Sequence, residues 1–95
     1  MSVEKGWKAR NKFMELNKKT LREIAQIIKQ DWNPVYFSAK PYLDAMEQLD
    51  SVDESIGYDD GVSIVSYFLI NAKQWKGSVA REVKAYLKKL TEEAN

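Results

Sequence analysis

Seven of the fourteen acidic residues in this 95-residue chain lie between positions 41 and 72, with no Lys or Arg among them. Asp50, Asp53, Glu54, Asp59 and Asp60 are the densest part. Hard cations such as calcium and magnesium want oxygen ligands of this kind. The spacing departs from an EF-hand loop, which needs acids at alternate positions, a central Gly and a terminal Glu. Solvated loop charges with a helix cap are the simpler reading, so no metal is expected. Asp44, Glu47 and Asp50 suggest a second chemistry. At i, i+3 and i+6 on a helix they lie near one another, and carboxylates about 5–9 Å apart across a cleft can hydrolyse glycosides. A domain of this size has little room for a cleft. The chain also contains no Cys and no His. That removes zinc fingers, thiol nucleophiles and His-based triads. The remaining Ser, Thr, Lys and Tyr nucleophiles lack an obvious base. Neither enzymatic activity nor a cofactor is expected.

Binding is the better use of these charges. Residues 1–40 carry a net charge of +5, residues 41–72 a net −7 and residues 73–95 a net +3, within a total of +1. Two surfaces follow. The first is the acidic segment, with Asp50, Asp53, Glu54, Tyr58 and Asp59 as candidate contacts to a protein. Acids facing outward would steer a basic partner, and Tyr favours protein contacts. Neutralisation of the acids by the flanking bases, within one molecule, is the simpler alternative. The second surface is the N-terminal segment, where Lys5, Lys8, Arg10 and Lys12 interleave with Trp7 and Phe13. Lys18, Lys19 and Arg22 extend it. Lys8, Arg10, Lys12, Lys18 and Lys19 are the candidate nucleic-acid contacts. A near-neutral total and the lack of the Gly-containing turn of a helix-turn-helix weigh against a dedicated nucleic-acid binder.

The elements that carry these residues read as helices. Thr20-Leu-Arg-Glu23 is a capping box, and Leu21, Ile24, Ile28 and Trp32 follow at helical spacing. Asn33-Pro34 ends that helix, because the residue before Pro is pushed out of the α region. Ser38 can cap the next, with Pro41 in its first turn and Tyr42, Leu43, Met46 and Leu49 on one stripe. Residues 51–59 read as loop. Asp59-Asp60-Gly61 can begin a third helix, with an Asp as its cap ahead of Ser63. The run from Val62 to Ile70 is β-branched and aromatic, yet helix is preferred over strand because the pattern continues through Asn71 to Trp75. Asn71 on the apolar face suggests an internal tie to a loop such as 33–37. Gly77 suits a helix C′ position and Ser78 an N-cap. Val79, Val83, Tyr86, Leu87 and Leu90 form the last stripe. The rings of Trp32, Phe37, Tyr42, Tyr67, Phe68 and Trp75 are read as mostly core, with Tyr36, Tyr58 or Trp75 as the surplus for an exposed patch.

From about residue 20 to 90 the chain resembles a family of short uncharacterised bacterial proteins, some from phage or mobile-element neighbourhoods. Asp31-Trp32, Val35-Tyr36-Phe37, Pro41-Tyr42-Leu43, Leu49-Asp50-Ser51-Val52-Asp53, Tyr67-Phe68-Leu69 and Trp75-Lys76-Gly77 carry the likeness. It implies an all-helical domain and no assigned activity.

The expected fold is therefore all-α. Four core helices near 20–32, 38–50, 60–75 and 78–92 form one helical domain over 20–95. A basic segment over 1–19 adds a loosely docked helix. The expected function is a small cytoplasmic adaptor that contacts another protein through a charge-segregated surface. The alternative is a nucleic-acid-binding accessory factor of a mobile element. A homodimer is compatible with either. No apolar stretch is long enough to span a bilayer, and no targeting signal is evident.

Overall fold

Thr20 starts the first helix as its capping box requires. In the computed structural model, which describes residues 14–94, the Glu23 amide donates to Thr20 Oγ1 at 3.1 Å and the Thr20 amide donates to Glu23 Oε1 at 2.9 Å. These bonds satisfy amides near the helix start that have no partner within the helix. The bond from the Thr20 amide also holds the Glu23 carboxyl below its ordinary range. Helix α1, Leu21–Asp31, buries Leu21, Ile24, Ala25 and Ile28 along one stripe and stops at Trp32, ahead of Pro34.

Helix α2, Lys40–Met46, is shorter than the spacing predicts. Its N-cap is Ala39, not Ser38, and no side chain caps it. After Met46 the backbone tightens. The Gln48 and Leu49 amides donate to the Ala45 and Met46 carbonyls, three residues back. This turn buries Leu49 and brings the Leu49 and Asp50 carbonyls to the start of α1. They accept from the Arg22 and Leu21 amides at 2.9 and 3.1 Å.

The all-α expectation needs one correction. Residues 51–59 are not all loop, because Ser55–Ile56 (β1) and Asp59–Asp60 (β2) form an antiparallel hairpin, with Ser55 opposite Asp60 and Ile56 opposite Asp59. Gly57, at φ 60°, takes the first position of the two-residue turn, as tight hairpin connections require. Strands of two residues show no alternation, so hydropathy did not reveal them.

Helix α3, Gly61–Ile70, settles the helix-or-strand question for the Val62–Ile70 run. Asp60 caps it, its carboxylate accepting from the Ser63 amide at 2.7 Å. The helix ends at Asn71 rather than Trp75. Asn71 ties no distant loop; its side-chain amide donates to the Tyr67 carbonyl of its own helix at 2.8 Å. The turn that follows drops Trp75 into the core at 2% exposure. There its indole donates to Asp31 at 2.8 Å. It stacks on Trp32 at 5.8 Å between ring centres and meets Phe68 edge-on at 6.4 Å.

Helix α4, Ser78–Ala94, buries Ala80, Val83, Leu87 and Thr91. Gly77 (φ 113°) is not the C′ residue of α3: its carbonyl accepts the first bond of α4, from the Arg81 amide. Ser78 is the first helical residue rather than a cap. Helix α3 packs on both α2 and α4, and α1 packs on the same pair. A 3-10 turn, Leu16–Lys18, precedes α1 and places Leu16 in the core against α4. The remainder of the expected N-terminal helix falls on residues 1–13, outside the described residues. No described helix is long and apolar enough to cross a membrane.

Candidate functional site

The backbone of the acidic segment is held closely. The Glu54 amide donates to the Ser51 carbonyl at 3.2 Å, and the Asp53 amide to Ser51 Oγ at 2.9 Å. Glu54 Oε1 accepts from the Asp50 amide at 2.8 Å, while the Glu54 carbonyl accepts from the Gly61 amide at 2.7 Å. Gly61 is required by this fit. A Cβ there would lie 2.6 Å from the Val52 carbonyl oxygen and 2.7 Å from its Cα. The 51–54 turn ahead of the hairpin is thus pressed onto the first residue of α3, backbone against backbone.

The candidate acids divide into two groups. Asp44, Glu47 and Asp50 turn toward α1. Lys29 Nζ donates to Asp44 at 2.8 Å and to Glu47 at 2.7 Å. Arg22 donates to Asp50 at 2.6 Å and to the Glu47 carbonyl at 3.1 Å. The bond from Lys29 holds the Asp44 carboxyl below its usual range, and the two carboxylates hold the Lys29 ammonium above its own. Three acids are therefore matched within the molecule.

The second group lies on and beside the hairpin. Asp60 is used as the α3 cap and Glu54 on the Asp50 amide. The carboxylates of Asp53 and Asp59 are exposed and take no hydrogen bond or ion pair among the described residues. Tyr58 stands fully exposed at the hairpin tip between the two strands. A hollow of about 280 Å³ lies between α2, α3 and the hairpin. Pro41, Tyr42 and Ala45 of α2 line it, with Ile64 and Tyr67 of α3 and Ile56 and Asp59 of the hairpin. The Tyr42 and Tyr67 rings meet at 5.6 Å between centres. Tyr67 is half exposed and Tyr42 half buried, so neither is a core ring as expected. Phe37, also read as core, is 76% exposed and leans on the exposed Tyr36 at 4.8 Å. Ile70, one turn beyond Tyr67 on α3, is exposed too.

Of the basic candidates, Lys8, Arg10 and Lys12 lie outside the described residues. Lys18 is exposed with a 3.6 Å pair to Glu15, and Lys19 is exposed. The shallow hollow near them mixes Glu15 and Glu82 with Lys89, so its rim has no single sign. Lys84 turns inward: its ammonium donates to the Trp75 carbonyl and lies 5.8 Å from the ring centre. Burial, with the nearby Lys76 charge, lowers its pKa. No group of three or more Asp or Glu among the described residues is placed to hold a metal ion.

Tyr67, Tyr42, Ile56 and Pro41 are the site residues that reading by stripe missed. Gly57 was the local signal for Ile56 alone, since a Gly in a two-residue connection marks a hairpin; Pro41, Tyr42 and Tyr67 carried no local signal. Comparison with known proteins finds no matching family model, no matching curated protein and no matching solved structure.

Proposed function

We propose that this protein is a small adaptor that contacts another protein through the face formed by the hairpin, α2 and α3. One observation carries the reading. Asp59, unmatched among the described residues, lines a tyrosine-walled hollow, and exposed Tyr58 precedes it at the tip of the hairpin. An interface core wants desolvated aromatic anchors inside a polar rim, and this face has both. Its negative sign selects a basic partner segment and raises the rate of encounter. As part of the same proposal, the adaptor acts in the cytoplasm, in the phage or mobile-element setting that some of the resembling bacterial proteins share.

The test is photo-crosslinking in the cell. A benzophenone amino acid at position 58 should capture a protein whose crosslinked peptide is rich in Lys or Arg. The same group at Gln26, exposed on α1, should not. Capture of nucleic acid instead, or equal capture from both positions, sinks the reading.

A further inference from the structure

We propose that the hollow between α2, α3 and the hairpin is a socket for one arginine side chain of the partner. This deepens the adaptor reading and rests on it. The walls are apolar and aromatic: Pro41, Tyr42 and Ala45 on one side, Ile64 and Tyr67 on the other. Among the described residues, the only charged one in the lining is Asp59. The hairpin register puts Asp59 opposite Ile56, so the carboxylate and the apolar floor come from one cross-strand pair. At about 280 Å³, the hollow falls just below the range of about 300–1,000 Å³ typical of small-molecule sites. It suits a long side chain rather than a cofactor.

The chemistry of the lining narrows the occupant. A purely apolar side chain would desolvate Asp59 without compensation. An acidic one would meet Asp59 with Asp60 beside it in the chain. An amphipathic cation satisfies both parts of the lining, its alkyl stem against Ile56 and Ile64 and its charge at Asp59. Arginine fits better than lysine. Its planar guanidinium stacks on tyrosine faces while forking onto a carboxylate, which a compact ammonium cannot do.

The experiment is an NMR titration of the whole chain with N-acetylarginine methylamide and with its lysine and citrulline counterparts. The arginine compound should give saturable shifts at the amides of Ala45, Ile56, Asp59, Ile64 and Tyr67, in the millimolar range expected of so small a ligand. Lysine should bind more weakly and citrulline, the neutral isostere, most weakly. Asp59→Asn should weaken arginine by about fivefold or more and leave amide shifts on α1 and α4 unchanged. The proposal fails if citrulline binds as tightly as arginine, if Asp59→Asn changes nothing, or if no shift saturates in the hollow up to roughly 100 mM ligand. It also fails if dilution of the protein alone moves the same amides, which would assign the hollow to a second copy. These compounds need no partner, so their failure leaves the crosslinking result standing. A crosslink to nucleic acid would remove the adaptor reading while leaving the titration intact.

Discussion

Two acidic stretches follow one another in this chain and serve opposite ends. Asp44, Glu47 and Asp50 face α1 and are matched by Lys29 and Arg22. Asp53 and Asp59 face solvent with no such match among the described residues. The first stretch joins two helices. The second is fastened through its backbone, and its two carboxylates take no partner among the described residues. In composition they are alike. What separates them is the chain after Asp50, whose backbone is still bonded to the start of α1; beyond it the 51–54 turn and the hairpin lead toward α3.

Replacing Gly61 by Ala tests the fastening of the second stretch most severely. The new methyl would meet Val52 backbone, which cannot swing aside as a side chain can. A loss of about 3 kcal/mol, at the upper end for overpacking, should appear in chemical denaturation. A parent-like midpoint would mean that the turn around Val52 is only loosely seated on α3.

Lys29→Met acts on the first stretch and should cost less, about 1–2 kcal/mol at neutral pH, since solvent still reaches all three partners. The pH dependence has a definite sign. The Asp44 carboxyl is lowered in the folded state, so its contribution is present above the unfolded carboxylate range and is lost as pH falls through the folded value. Lys29 is raised, so its contribution is present below the ordinary lysine range and is lost as pH rises through the folded value. Melting curves of parent and variant should therefore converge in acid and again in strong base. A gap that stays constant with pH would indicate lost packing rather than lost charge.

Asp50→Asn removes one exposed partner of Arg22 and should cost about 0.5 kcal/mol, as solvent-exposed pairs do. A thermal shift scan in low and high salt checks it, the loss shrinking as salt is added. The smallest effect on stability belongs to Asp53→Asn with Asp59→Asn. It should be under about 0.5 kcal/mol, the scale for surface sites away from structural features. The same double variant should slow association with the crosslinked partner and flatten its salt dependence. If it destabilises as much as Lys29→Met, the two stretches do not differ and the acids of the hairpin belong to the fold.

Helices with a local signature were legible in advance. The capping box at Thr20 and Glu23 is a pair of short-range bonds between residues three apart, so the residue types at that spacing suffice to find it; the Asp59-Asp60 pair marked the start of α3, and the structure shows Asp60 as the cap. The candidate site was half legible. Its acids and Tyr58 stand out by composition, while Tyr42 and Tyr67 looked like core because their spacing continues the buried stripes, and Phe37 because a large ring in a small domain usually buries. A stripe records which way a side chain leaves its helix. It does not record how far the neighbouring helix extends to cover it.

The sequence by itself determined the helical segments with strong caps, the apolar stripes that form the core, and the separation of charge along the chain. All three depend on residues a few positions apart. Only the tertiary structure decided that Lys29 reaches across to Asp44 and Glu47, that Asp53 and Asp59 are left unmatched among the described residues, and that Trp75 closes the core from a turn. Those outcomes depend on where helices stop. A helix stops where burying the next apolar residue favours a turn over another helical bond, as Leu49 and Trp75 do here, and that balance is set by partners far away in sequence.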